Sequence, residues 1–332
     1  MTTTTAALRP EMKGTSTFLP RDFVKTAAGL IFAVVDQSDA TERVPCFLRY
    51  RTSINGKPEK LSTTEANNLL RQRYPQYLFH CEQRDADMHG VVPEDVTQHL
   101  QARARARELL DPRQPTDPFE ARVARLLIVL AEAGIPMSSV GVTGSVLAGS
   151  HRVDSDIDLV IYETAAFERA RSLLPELIHR GMLTALDDAT WEDAYRRRGC
   201  SLAYQEFRWH EERKHNKAVF EGTKLDLSLV IERTARAREK WRKLGTFRLS
   251  AMITEDQASF DYPARLGIDH DRISEVVAFT ATYSGQARIG EQIEVSGLLE
   301  EASGGTQRIV VGSDREAHGQ YIRVIRTARG RL

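Results

Sequence analysis

The sequence predicts an α+β protein in three folded parts: a small N-terminal α/β unit, a central unit in which helices pack on strands, and a C-terminal β-barrel. Three observations predict it. Strand-like apolar runs and one capped helix alternate between residues 29 and 81. A helix, a strand, a Gly-Ser turn, an acidic strand and an amphipathic helix follow one another between residues 117 and 180. From residue 245 onward, short strands recur at regular spacing and are broken by glycines.

Composition bounds the reading. A chain of 332 residues, 41% hydrophobic, can bury a sizeable core and is long enough for two or three domains. The formal net charge is zero, so any attraction to nucleic acid or membrane has to be local. Cys46, Cys81 and Cys200 are an odd number, far apart and without a CxxC pair, which fits a reducing cytoplasm. The first residues are small and polar, and no run of about 18 apolar residues occurs, so a soluble cytoplasmic protein without membrane contact is expected.

Residues 1–17 read as a disordered tail and residues 18–112 as the N-terminal domain. Within it, residues 29–35 (GLIFAVV), 44–50 (VPCFLRY) and 77–81 (YLFHC) read as strands, the first two paired. Ser62 and Glu65 form a capping box that opens a helix through Leu69, Leu70 and Arg73. Pro93 starts a further helix that runs through residues 101–110, and Asp111-Pro112-Arg113-Gln114-Pro115 is a linker.

The central domain spans residues 117–244. Its first helix carries Val123, Leu126, Leu127 and Leu130 and stops at Gly134 with Pro136 beyond. Residues 140–142 are a strand, and residues 167–180 form an amphipathic helix stopped by Gly181. Residues 191–248 hold fifteen basic against nine acidic residues, the strongest local bias in the chain. Inside that stretch residues 224–231 (KLDLSLVI) alternate as a strand, and residues 234–243 read as a basic helix. Residues 245–332 then supply strands at 247–253, 264–268, 276–283, 292–299, 307–311 and 321–325, a small closed barrel with an OB-like arrangement as one option.

The candidate site is Gly144-Ser145 followed, after a ten-residue gap, by Asp156-Ile157-Asp158. Strand side chains alternate faces, so Asp156 and Asp158 project together while Ile157 and Leu159 enter the core. Two carboxylates held close repel each other, and a divalent cation is the usual reason to keep both ionised. Asp226, a lone carboxylate on the polar face of the alternating strand, is the third acid expected beside them.

This constellation resembles the DNA polymerase β-like nucleotidyltransferase superfamily, whose signature is an apolar residue, Gly-Ser, a gap of about ten residues, and Asp-x-Asp among apolar residues. Gly144, Ser145, Asp156, Ile157, Asp158 and Leu159 carry the match, which covers residues 120–232. As a whole the chain looks like the small bacterial and archaeal predicted nucleotidyltransferases with flanking domains. The resemblance implies a polymerase β-like core, a mixed sheet with helices, and transfer of a nucleoside monophosphate from an NTP such as ATP to an acceptor hydroxyl, with release of pyrophosphate. It implies two Mg²⁺ ions, with Mn²⁺ an alternative, held by Asp156 and Asp158, and a third carboxylate, Asp226, as ligand or general base. Gly144 and Ser145 would meet the nucleotide phosphates through a glycine's freedom and a serine hydroxyl.

Family members often place an arginine directly after Gly-Ser, whereas Val146 and Leu147 stand here. His151 and Arg152 nearby, with Lys214 and Lys217, are therefore the candidates for phosphate contact, Lys214 and Lys217 being preferred to Arg196-Arg197-Arg198 because they precede the Asp226 strand closely. No zinc-ligand spacing, Walker A loop or dinucleotide fingerprint is present. An RNA 3′ end, a protein or a small molecule could be the acceptor, and a catalytically silent nucleotide- or nucleic-acid-binding regulator is the alternative from another class.

Overall fold

The computed structural model describes residues 17–38, 42–113, 117–233, 239–312, 318–327 and 330–331, so the expected tail falls outside it except for its last residue. The chain is a mixed α+β structure with three sheets.

The N-terminal sheet contains β1 (Phe23–Thr26), β2 (Leu30–Val34), β3 (Val44–Thr52), β4 (Pro58–Lys60), β5 (Leu78–Cys81), β6 (Ala86–Val91) and β7 (Val96–Leu100) in the order β5-β6-β3-β2-β1-β7, with β4 beside β3. All its pairings are antiparallel, so this unit is a meandering sheet with one long helix and not an alternating α/β unit. That helix, α1 (Thr63–Arg73), opens with the expected capping box between Ser62 and Glu65. One face of the sheet, with Phe32, Val34, Cys46 and Leu48, packs on Ala66 and Leu70 of α1. The other face, with Phe23, Ile31 and Tyr50, packs on the central unit. In β3 one extra residue interrupts the pairing: Tyr50 lies opposite Ile31 and Leu48 opposite Phe32, leaving Arg49 as a β-bulge.

The helix expected from Pro93 through residue 110 is present only from Ala102 onward. Residues 93–95 form only a 3₁₀ turn, and β7 follows, its Thr97 and Gln98 exposed at the sheet edge. An edge strand with a wet face needs no apolar run, which is why its sequence carries no strand signal.

The central unit runs through α2 (Ala102–Leu110), α3 (Pro118–Glu132), β8 (Val140–Val142), α4 (Gly144–Ala148), β9 (Ile157–Tyr162), α5 (Thr164–His179), α6 (Asp188–Arg198), α7 (Tyr204–Glu212), β10 (Lys217–Phe220) and β11 (Thr223–Val230). Its sheet order is β10-β11-β9-β8, with β9 and β11 parallel and the other neighbours antiparallel. Ile157, Leu159, Ile161, Leu225, Leu227 and Leu229 share one core with Val123, Leu126, Leu127 and Leu130 of α3 and Leu174 and Leu177 of α5. Gly141 in β8 lets α2 lie close, since a Cβ there would stand 2.9 Å from the Ala102 carbonyl carbon.

The C-terminal sheet comprises β12 (Trp241–Glu255), β13 (Ala264–Asp269), β14 (Ile273–Ala278), β15 (Gln292–Ala302), β16 (Gln307–Val311), β17 (Tyr321–Thr327) and β18 (Gly330–Arg331), ordered β12-β13-β14-β16-β15-β17-β18. Because β12 also pairs with β15, its first five strands form a closed circuit. β12 starts at Trp241, inside the expected basic helix, whose residues 234–238 fall outside the described ones. The strand expected to run to Tyr283 ends at Ala278, and Ala281–Tyr283 is a 3₁₀ turn. Trp191 and Ala194 of α6 and Phe207 of α7 are buried in the core of this sheet.

Filling the space between α2 and β8 should be costly. Gly141→Val should lower unfolding free energy by about 1–3 kcal/mol, the usual range for overpacking, measurable by urea denaturation.

Candidate functional site

The parallel pairing of β9 with β11 sets Asp158 directly opposite Asp226. Neighbouring positions Ile157, Leu159, Leu225 and Leu227 are buried in the core, so both aspartates project from the other face of the sheet. Asp156 lies just before β9, two residues upstream of Asp158. From the next strand, β8, the chain reaches Thr143, whose amide donates to the Asp158 carbonyl at 3.0 Å, and turns at Gly144. Gly144 has φ +65°, and a Cβ on it would collide with Asp158 Oδ2. Only glycine satisfies both conditions.

Cations neutralise the acids unevenly. The Lys224 ammonium lies 3.1 Å from Asp156 and also donates to Asp226 on its own strand. Arg197 of α6 donates to Asp156 at 2.9 Å. Lys217, the cross-strand partner of Asp226 on β10, is 3.5 Å from Asp226 Oδ1. Burial opposes ionisation of Asp226, but Lys217 and Lys224 outweigh it and hold this carboxyl well below the usual carboxylate range. Among the described residues Asp158 has no such ammonium within salt-bridge reach; burial, and then the Asp226 charge, push it up to about 6.

The donor set fits a hard divalent cation. Its ligands would be carboxylate oxygens, and one of them, Asp226 Oδ1, is buried without a hydrogen-bond partner. The carboxylates are splayed around Lys224, and among the described residues the three acidic or histidine side chains with ligating atoms within 4.8 Å of one another are instead Asp117, Glu120 and His151. That cluster is already committed: Asp117 caps α3 through the amides of Phe119 and Glu120 and holds His151 at 2.6 Å, while Glu120 pairs with Arg105.

Of the residues singled out in the sequence, Gly144, Ser145, Asp156, Asp158 and Asp226 come together, and Lys217 stands beside them. Lys217 spends its ammonium chiefly on Glu211, at 2.7 Å. Lys214 is corrected: it is 2% exposed, and its ammonium bonds Glu211 and, at 2.7 Å, the Thr282 carbonyl, so it cannot reach a phosphate. Burial lowers its pKa to about 8. Arg152 is exposed and forms no hydrogen bond or ion pair with the aspartates; its amide donates to Ser155 Oγ at 2.9 Å. The preference for Lys214 over the arginine triplet is thus reversed, because Arg197 is the one that reaches the site. Lys224 was missed, although its place two residues before Asp226 on an alternating strand put it on the same face.

No family model matches the chain, and no solved structure matches it. The uncharacterized protein MJ1086 of Methanocaldococcus jannaschii is 32% identical over 335 residues, which covers 92% of this chain and 98% of that protein. Among the described residues, no helix is long and apolar enough to cross a membrane.

Two outcomes are expected. The raised Asp158 pKa favours the protonated folded state, so ionisation costs stability from about pH 4 upward, with the full cost present above about pH 6. In chelator-treated protein, Asp158→Asn should therefore gain on the order of 2 kcal/mol at pH 8 and nothing below about pH 4, by pH-dependent denaturation. Lys214→Met should lose about 3 kcal/mol of stability by removing one partner of a buried ion pair, as read by urea denaturation.

Proposed function

The chain belongs to the family of the uncharacterized protein MJ1086, and we propose that it is a Mg²⁺-dependent nucleotidyltransferase of the polymerase β-like kind. The reaction moves a nucleoside monophosphate from an NTP to an acceptor hydroxyl: the acceptor oxygen bonds to the α-phosphorus, the bond to the β-phosphate oxygen breaks, and pyrophosphate leaves. The observation that carries this reading is the β9–β11 register, which sets Asp226 beside Asp158 with Gly144 closed down on Asp158.

Asp156, Asp158 and Asp226 would hold the metal, which when bound lowers the pKa of the attacking hydroxyl and neutralises charge on the leaving pyrophosphate. Asp226, held well below the usual carboxylate range, is a poor proton acceptor, so its ligand role is favoured over general-base catalysis. Ser145 follows Gly144 in the turn, half-buried, and its hydroxyl suits a phosphate oxygen. Arg197, half-exposed over Asp156, supplies a guanidinium at the same edge.

The closed circuit β12-β13-β14-β16-β15 suits an OB-like barrel, an architecture that often binds single strands, and favours RNA over a protein or small molecule as acceptor. On β12, Phe247 is 37% exposed, a usable stacking position. One observation favours the second reading, a catalytically silent nucleotide-binding regulator: the Lys224 ammonium already bridges Asp156 and Asp226.

Incubation of the protein with Mg²⁺, each labelled NTP, and RNA, protein or small-molecule acceptors decides between them. Label transfer should fall by at least about 10²-fold in Asp156→Ala/Asp158→Ala. Transfer that survives the double substitution removes the metal-site assignment, and NTP binding without transfer to any acceptor establishes the regulator.

A further inference from the structure

The N-terminal sheet reaches the candidate site through two arginines that no sequence motif marks. The first is Arg49. Regular alternation in β3 would put Tyr50 on the face of Cys46 and Leu48, against α1. The bulge at Arg49 changes that, and Tyr50 instead joins Phe23 and Ile31 against Leu147, Ala148, Val160 and Tyr162. Bulges re-aim side chains in this way, and this one puts Tyr50 on the face that packs on the central unit, with Arg49 beside it in electrostatic range of Asp158.

The second is Arg21. Its φ of +77° lies in the left-handed region, an unfavourable conformation for a side-chain-bearing residue. The conformation is locked at both ends. The Arg21 amide donates to the Val34 carbonyl at 3.0 Å, and its carbonyl accepts from the hydroxyl of Thr143, the residue immediately before Gly144.

Arg21 and Arg49 are half-buried, and neither side chain forms an ion pair or hydrogen bond among the described residues. The two guanidinium charges repel each other, and both are drawn to Asp158. Elsewhere in this chain arginines of similar burial are paired: Arg84 with Asp36 at 2.6 Å, Arg213 with Glu291 at 2.6 Å, Arg308 with Glu300 at 2.8 Å. Two guanidinium groups, unpaired among the described residues and placed by a bulge and a left-handed residue at the edge of a Gly-Ser turn, would suit an anion of high charge. Guanidinium forks match phosphate geometry.

We propose that Arg21 and Arg49 clamp the polyphosphate end of the nucleotide, so that the N-terminal sheet is one wall of the nucleotide site. This rests on the nucleotidyltransferase reading for the identity of the ligand. It also supplies the cation that is missing after Ser145, where Val146 and Leu147 are buried and cannot serve.

The test uses the full-length protein and its variants Arg21→Gln, Arg49→Gln and Arg49→Lys. Calorimetric titrations would compare inorganic tripolyphosphate, each NTP and each nucleoside monophosphate with Mg²⁺, and thermal melting would confirm folding. Each glutamine variant should bind tripolyphosphate and NTP about tenfold or more weakly, with monophosphate affinity within about twofold and part of the loss recovered by Arg49→Lys. Should a glutamine variant fail to fold, the lysine variant still decides through its ratio of triphosphate to monophosphate affinity, which drops under the proposal and stays constant without it. Nucleotide transfer with undiminished NTP affinity in the variants overturns the clamp and leaves the enzyme reading standing. Arginine-dependent tripolyphosphate binding by a protein that transfers no nucleotide does the reverse. A wild-type protein that binds neither tripolyphosphate nor NTP overturns both.

Discussion

The parallel register between β9 and β11 is the constraint on which the rest depends. It places Asp158 against Asp226, and two like charges on adjacent strands are destabilising unless something offsets them. The offset is unequal. Lys217 and Lys224 serve Asp226, and Lys224 with Arg197 serves Asp156, while Asp158 stays without a partner ammonium. Folding free energy is thus spent on keeping one carboxylate buried beside another. A core of leucine, isoleucine and valine on the opposite face of the same strands supplies the stabilisation that makes this tolerable.

The N-terminal sheet bears on the site through a second set of contacts. Asp22 is buried; it accepts from the Ala102 amide at 2.9 Å, at the start of α2, and from His99 at 2.9 Å. Arg103 stacks 3.8 Å above the ring centroid of Tyr162, the last residue of the acid-bearing strand β9. With the apolar seam of Phe23, Ile31, Tyr50, Val160 and Tyr162, these contacts hold the sheet against the face from which the aspartates project. A site on a sheet face is open to water unless another layer covers it, and this layer is the cover.

The sequence was legible wherever one regular pattern ran long enough to be read. The Ser62–Glu65 capping box, the stop at Gly134, the alternation in β11 and the strand that carries Asp158 all rest on short-range periodicity or caps, and the structure contains each of them. Other features left no such mark. β7 is a polar edge strand, and α6 buries only Trp191 and Ala194, too little for a helical period. The bulge at Arg49 is one unpaired residue inside a run that reads as ordinary strand. Lys214 was misjudged for a different reason: closeness in sequence to the Asp226 strand says nothing about which way a side chain leaves the turn after α7. The faces on which Asp158 and Asp226 lie were readable from alternation alone, whereas the place of Asp156, just before β9, and of the cations depends on tertiary placement.

Lys214 also shows how the C-terminal sheet takes part. Its ammonium joins the Thr282 carbonyl, beyond β14, to Glu211 at the end of α7. Glu211 in turn holds Lys217, and Lys217 faces Asp226. Burial opposes the charge on Glu211, yet Lys214 and Lys217 hold its carboxyl well below the usual range, so Glu211 stays ionised at neutral pH. A buried ion pair of this kind adds little net stability over an apolar substitute of the same shape. What it does fix is direction, because a carbonyl oxygen and a carboxylate accept an ammonium only along defined approaches. The position of Asp226 is therefore set twice, by its strand through the backbone and by the C-terminal sheet through Lys214, Glu211 and Lys217. A mere hydrophobic prop between α7 and the C-terminal sheet would preserve the packing and lose the second constraint.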